Sequence, residues 1–317
     1  MAREDASAPT PPVTVRLDAH LAYGMCAYVD GMPSALPRGW VEIWAPAGRK
    51  QSLAGNYAVL LQSEAQPSFY AVAIQGTQDI RDVMEDFEIV PQPAFPAIAG
   101  ARISSGSQKG LDDVLALRGP YEDRVVTLQG LLESLPAGTT LLVTGHSLGG
   151  NLASVLMPWI AANVPAFGPN HQPIRRLSPN LNAITFAAPT AGNEAFAKFL
   201  DDHPERYQAH FNRNDVVSNV WARSGPLQIH NIDSLFPPPG PGPAPQSVRA
   251  LLIFKIAQME RAKPRVSYQQ TRGVIFHFPP GELPDPVPEH PWIWQLGYEH
   301  NYAYCRHFLG PDAGCKE

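Results

Sequence analysis

The sequence predicts an α/β fold with a central, mostly parallel sheet flanked by helices. Three observations carry this. Short apolar, β-prone runs alternate with helical stretches along the chain. One such run, Thr140-Leu-Leu-Val-Thr, leads through Gly145-His-Ser-Leu-Gly-Gly into an apolar helical stretch, a strand–turn–helix sequence. Over 317 residues, 44% apolar and 17% charged side chains suffice for a sizeable core and exclude wholesale disorder.

Taken in order, residues 1–12 read as a disordered Pro/Ala arm and 13–317 as a single domain. Arg16 to Asp30 has helical spacing, with Leu17, Leu21, Met25 and Tyr28 on one side. Tyr57–Leu61 and Phe69–Ile74 read as paired strands. Residues 87–107 are rich in Pro, Ala, Gly and Ser without a clear period, and a loop of that length inside a domain is a functional or disordered segment. Lys109 to Leu135 reads as helical, interrupted at Gly119-Pro120. Thr140–Thr144 is a buried strand, and Leu148–Ile160 a helix that Pro158 is expected to kink or end. Asn182–Phe186 and Tyr207–Phe211 are further strands, separated by a helix at Asn193–Leu200. A Pro-rich insertion occupies about 235–291: Pro237 to Pro245 allows no regular element but polyproline II, Val248–Arg261 reads as an apolar helix, and 279–291 is again Pro-rich.

Charge and targeting narrow the function. Lys and Arg total 24 against 29 Asp and Glu, so there is no basic excess to neutralise phosphates and no nucleic-acid partner is expected. No run is long enough to span a bilayer, and the acidic first residues contain no apolar signal stretch. The three cysteines, Cys26, Cys305 and Cys315, are odd in number and sparse, which suits a reducing cytosol; a Cys305–Cys315 bridge would require export by another route. The expected compartment is the cytoplasm.

The chemistry centres on Gly145-x-Ser147-x-Gly149. Glycines at both ends let the chain turn sharply from strand to helix and push the Ser147 hydroxyl out above the sheet, beside the positive end of the helix dipole. A serine hydroxyl needs a positioned base, and the base an orienting carboxylate. With the order serine, acid, histidine, Asp215 is the leading acid because it follows strand 207–211, and loops at strand ends are where an open α/β sheet displays its site. Its rivals are Asp201, Asp202 and Asp233. The histidines downstream are His230, His277, His290, His300 and His307, and the residues alone leave that choice open; His230 and His277 alternate with apolar neighbours and read as strand residues.

At this point the chain resembles the class 3 lipase family of α/β-hydrolases. Ala73-Ile-Gln-Gly-Thr-Gln, followed by Asp79 and Asp86-Phe87, is similar to the family's strand ending in R-G-T, with Gln75 in place of the Arg. Val143-Thr-Gly-His-Ser-Leu-Gly-Gly is similar to its nucleophile segment, and Thr185-Phe-Ala-Ala-Pro-Thr-Ala-Gly-Asn to its T-F-G-x-P-x-x-G-N segment. Asn212-Arg-Asn-Asp-Val-Val resembles the acid segment, and His300 with Tyr304 the final one. Ser105-Gly-Ser departs from the family's H-x-G-F entry to the next helix. The resemblance implies a triad of Ser147, Asp215 and His300, with backbone N–H groups of Thr77 and Leu148 as the oxyanion hole. It implies a serine carboxylic-ester hydrolase, a lipase acting on triacylglycerols or similar acyl esters, with no metal or organic cofactor. Phospholipase A or acyltransferase chemistry would use the same triad, and a non-catalytic binding module is the other alternative. It also puts a lid at 87–107, whose underside would be Phe87, Ile89, Val90, Phe95 and Ile98, and implies a transient contact with a lipid interface.

Overall fold

A computed structural model of the chain describes residues 18–32, 35–46, 57–77, 88–168, 173–236, 241–263, 265–276 and 292–315. The arm at 1–12, His277, His290, Phe87 and the whole second Pro-rich stretch, 279–291, lie outside these residues.

In chain order, the first elements are α1 (Ala19–Val29), β1 (Trp40–Trp44), β2 (Ala58–Ser63), β3 (Phe69–Ile74) and α2 (Ser105–Ala116). Then come the hairpin β4 (Arg118–Tyr121) and β5 (Arg124–Thr127), α3 (Leu128–Glu133), β6 (Thr140–His146), α4 (Leu148–Asn163), β7 (Leu181–Phe186), α5 (Glu194–Asp201) and β8 (Tyr207–Asn212). The last are α6 (Val216–Asn219), α7 (Gln246–Arg261), β9 (Val274–Phe276), α8 (Trp292–Gly297), a π-helical turn (Tyr298–Tyr302) and α9 (Ala303–Leu309). Seven strands form one sheet in the order β1-β2-β3-β6-β7-β8-β9. The pairs β1/β2 and β2/β3 are antiparallel, and every later neighbour is parallel.

Strand periodicity explains the two layers. Side chains alternate across the sheet, so Leu60, Val72, Ile74, Leu141 and Val143 enter a core with α2, α3 and α4. Their sequence neighbours Val59, Leu61, Ala71, Ala73 and Leu142 enter a second core with α1 and α9. Asp18 starts α1 by accepting from the N–H groups of His20 (3.0 Å) and Leu21 (3.1 Å). A third cluster joins the acid loop, through Val216, Val217, Val220 and Trp221, to Leu252 and Met259 of α7 and to Trp292 and Leu296 of α8. The helix in the Pro-rich insertion is therefore packed onto the acid side of the site, and Leu148 touches the same cluster.

Several expectations are corrected. The segment after Gly119 is a hairpin rather than more helix, because Pro120 and the Tyr121–Arg124 pairing suit a tight antiparallel turn. Helix α4 runs through Pro158 to Asn163, its buried Leu152, Val155, Leu156 and Ile160 outweighing the roughly 3 kcal/mol a proline costs inside a helix. His230 lies exposed in a 3-10 turn (Ile229–Ser234), not in a strand.

The segment expected to carry a lid is packed down in this structure. Ile89, Phe95 and Ile98 are 1%, 3% and 5% exposed. Phe95 meets the Phe196 ring at 5.9 Å within the main core. Backbone bonds Phe95 N–H to Ala101 O, Ile103 N–H to Pro93 O, Ser104 N–H to Ala191 O and Ile174 N–H to Ala97 O tie the segment down. From 88 onward the apolar side chains expected on the lid's underside are packed against the domain. Finally, Cys305 and Cys315 are joined by a disulfide.

Candidate active site

Ser147 lies between β6 and α4, where the chain reverses direction with the smallest space it can use. Its φ of 57° and ψ of −127° are a strained conformation for a residue with a side chain. The flanking glycines are sterically required. A Cβ on Gly145 would lie 2.2 Å from the Gly149 carbonyl oxygen, and one on Gly149 would lie 2.2 Å from that of Ile74. The turn is held from outside as well, by Ser147 N–H to Phe186 O at 2.9 Å and Asn151 N–H to Ser147 O at 3.1 Å.

The acid and the base come to this point from different parts of the fold. Asp215 follows the end of β8 and opens the short α6, with both carboxylate oxygens occupied: Oδ1 accepts from Val217 N–H (2.8 Å) and Oδ2 from Ser218 Oγ (2.9 Å) and Tyr304 Oη (3.0 Å). His300 sits in the π-helical turn between α8 and α9, a distortion that helices tend to keep where a side chain must be aimed. Its Nδ1–H donates to Asp215 Oδ1 at 2.9 Å, and its Nε2 lies 2.8 Å from Ser147 Oγ. Since a carboxylate only accepts, Nδ1 carries the proton and Nε2 is free to accept from the serine hydroxyl. Ser147, His300 and Asp215 are all at most 1% exposed, so the chain of bonds runs in a water-poor setting.

The remaining expected positions are adjacent. Leu148 is the first residue of α4, where backbone N–H groups have no partner within the helix. Thr77 follows Gly76, which is pressed against the nucleophile turn: a Cβ on Gly76 would lie 2.7 Å from the His146 oxygen and 3.2 Å from Ser147 Cβ. The parallel register Ile74↔Gly145 brings the two loops together.

Residues 71–224 match the family described as "Lipase (class 3)". Over that span, a little under half of the chain, the sequence carries the class 3 lipase pattern. That match supports a carboxylic-ester hydrolase. The M37 lipase crystal structure shares its fold, with a TM-score of 0.69 at 20% identity over 92% of this chain and 91% of that one. Lipase from Rhizopus microsporus var. chinensis aligns at 20% identity over 68% of this chain and 76% of that one, TM-score 0.47. Lipase II from Rhizopus niveus does so at 21% over 63% and 70%, TM-score 0.46.

Among the described residues, the rival acids and bases lie elsewhere. Asp233 pairs with Arg249 on the surface, Asp202 with Lys198, and Asp201 accepts from Arg272 N–H. The His307 ring stacks on Phe276 at 4.6 Å, away from the serine. Sequence reading passed over three supports. Asn212 Nδ2 donates to Glu299 Oε2 at 2.7 Å, securing the residue before His300. Tyr304 Oη accepts from Asn212 N–H at 2.7 Å while donating to Asp215. His146 donates from Nε2 to the His300 carbonyl at 2.8 Å. Asn212, Tyr304 and His146 all stood inside the motifs, so the signal was present there; Glu299 carried only its place next to His300.

Proposed function

We propose that this lipase hydrolyses acyl esters of lipids, triacylglycerols among them, through an acyl-enzyme on Ser147. The observation that carries the reading is the pair of bonds from Ser147 Oγ through His300 to Asp215. His300 Nε2 takes the hydroxyl proton as Ser147 Oγ attacks the ester carbonyl. Asp215 keeps the imidazole oriented and balances the imidazolium charge. The N–H groups of Thr77 and Leu148 receive the negative charge on the former carbonyl oxygen, an effect worth about 3 kcal/mol per donor. His300 then gives its proton to the departing alkoxide, releasing the alcohol. Water, deprotonated by His300, attacks the acyl-enzyme, and collapse of that second intermediate frees the carboxylic acid and restores Ser147.

Ser147 is 1% exposed, so a substrate acyl chain reaches it only after some segment moves. Ile253 and Phe254, 67% and 55% exposed on α7, are the apolar side chains that contact with a lipid interface would bury. The Cys305–Cys315 disulfide supports an oxidising compartment over the cytoplasm that the cysteine count suggested.

The test is Ser147→Ala, which removes the attacking atom. Hydrolysis of p-nitrophenyl butyrate and labelling by a fluorophosphonate probe should both vanish while the circular dichroism spectrum stays native, because losing the nucleophile costs several orders of magnitude in kcat. Turnover near wild type in that folded variant would overturn the reading. A wild-type protein inert to the probe would favour a binding module instead.

A further inference from the structure

Asp30 caps the C-terminal end of α1, far from every motif, yet its carboxyl group reaches the site. Oδ1 accepts from Gly76 N–H at 2.8 Å. Oδ2 faces His146 Nδ1 at 3.8 Å, with the two side chains 12% and 3% exposed. Gly76 precedes the proposed oxyanion donor Thr77 and is packed against Ser147 Cβ. His146 precedes Ser147 and holds the His300 carbonyl, and the two imidazole rings lie 4.8 Å apart. One carboxyl group thus touches the loop before the oxyanion donor and the ring that carries the backbone of the base.

We infer that Asp30 is a positioning residue that holds the Gly76 loop and, through His146, the backbone of His300 in register with Ser147. This rests on the triad reading above. The proton arrangement is decided by the partners. A carbonyl only accepts, so His146 Nε2–H donates to His300 O and its Nδ1 presents a lone pair to Asp30. Burial keeps His146 neutral, its pKa lowered to about 3. Burial also raises the Asp30 carboxyl to about 7, so a neutral carboxyl is accessible there, with one oxygen accepting from Gly76 and the other turned toward His146 Nδ1 at 3.8 Å, a contact longer than a hydrogen bond. An asparagine at position 30 would likewise keep one acceptor for Gly76 and one neutral polar group facing His146.

The test compares Asp30→Ala with Asp30→Asn on p-nitrophenyl butyrate, with thermal unfolding measured alongside. Asp30→Ala should lower kcat on the order of 10- to 100-fold at nearly unchanged KM, since Asp30 does not touch substrate and small displacements of reacting groups carry costs of that size. Asp30→Asn should restore most of the lost kcat. A general loss of stability would not be undone in kcat by the amide. If Asp30→Ala fails to fold, Asp30→Glu serves, because it keeps the carboxyl but displaces it by one methylene; the same fall in kcat is expected. A folded Asp30→Ala or Asp30→Glu with wild-type kcat, or a loss that Asp30→Asn does not restore, overturns the assignment. Ser147→Ala separates the two failures: if it is inactive while Asp30→Ala is normal, only the role of Asp30 falls.

Discussion

Replacing Tyr304 with Phe deletes one oxygen and leaves the ring in place, so its effect can be worked from the hydrogen bonds alone. The residue is fully buried, and its ring contacts with His146 (5.4 Å) and Phe276 (5.3 Å) survive the change. Burial and then the Asp215 charge hold the phenol pKa well above its usual value, so the hydroxyl is protonated and donates to Asp215. Two bonds are lost. Asn212 N–H (2.7 Å) becomes a buried donor without a partner, which costs about 1–3 kcal/mol. Asp215 loses one of its four donors but keeps Val217 N–H, Ser218 Oγ and His300 Nδ1, so the second loss is the smaller. The sum is about 2–4 kcal/mol of folding stability. Activity should fall too, because the carboxylate that orients His300 is less tightly held; we expect kcat down about tenfold with KM unchanged. Urea unfolding followed by tryptophan fluorescence, with kcat on p-nitrophenyl butyrate, measures both. Stability within about 0.5 kcal/mol of wild type, together with unchanged kcat, would refute this account of the acid's surroundings.

Three further outcomes follow from the same geometry. His300→Ala should be nearly as inactive as Ser147→Ala and the double variant no worse, because triad members act as a unit, whereas His307→Ala should keep most activity; an inactive His307→Ala contradicts the assignment. Phe95→Asp puts a charge into the main core and should yield little folded protein on expression, whereas a soluble, native-like variant would restore the flap reading of that segment. Stability should fall on acidification from about pH 6 to pH 5: His146 and His210 are held near 3 and 4 by burial, so on these two histidines the unfolded chain, with histidines near 6.5, holds nearly two protons that the folded chain does not. The folded protein holds about one, on Asp30 near 7, leaving a net of just under one proton and a slope of about 1 kcal/mol per pH unit. A flat unfolding free energy across that window would disprove it.

What the sequence determined by itself is local. Ser147 was legible because the turn needs glycine at 145 and 149, where a Cβ would strike backbone 2.2 Å away, and that requirement is written in consecutive letters. Strands β3, β6, β7 and β8 were legible because each is an apolar run bounded by breakers, and Asp215 because it follows one of them. The base was not. Five histidines follow Asp215, and His300 was singled out only by its likeness to a known final segment; its place beside Ser147 depends on α9 packing against α1 on one face of the sheet, a contact between elements from the two ends of the sequence. Burial is likewise a property of the whole fold. The resemblance and the composition marked Phe95 and Ile98 as the underside of a lid, and only the tertiary structure shows what they pack against, Phe196 and the α2 side of the core. The same holds for the Cys305–Cys315 bond and for Asp30, a carboxylate in no motif that meets Gly76 and His146 because α1 ends where β3 and β6 end. Turn chemistry is set by neighbours in sequence, whereas the partners of a histidine, a cysteine or a buried carboxylate are set by which surfaces the packed helices bring together.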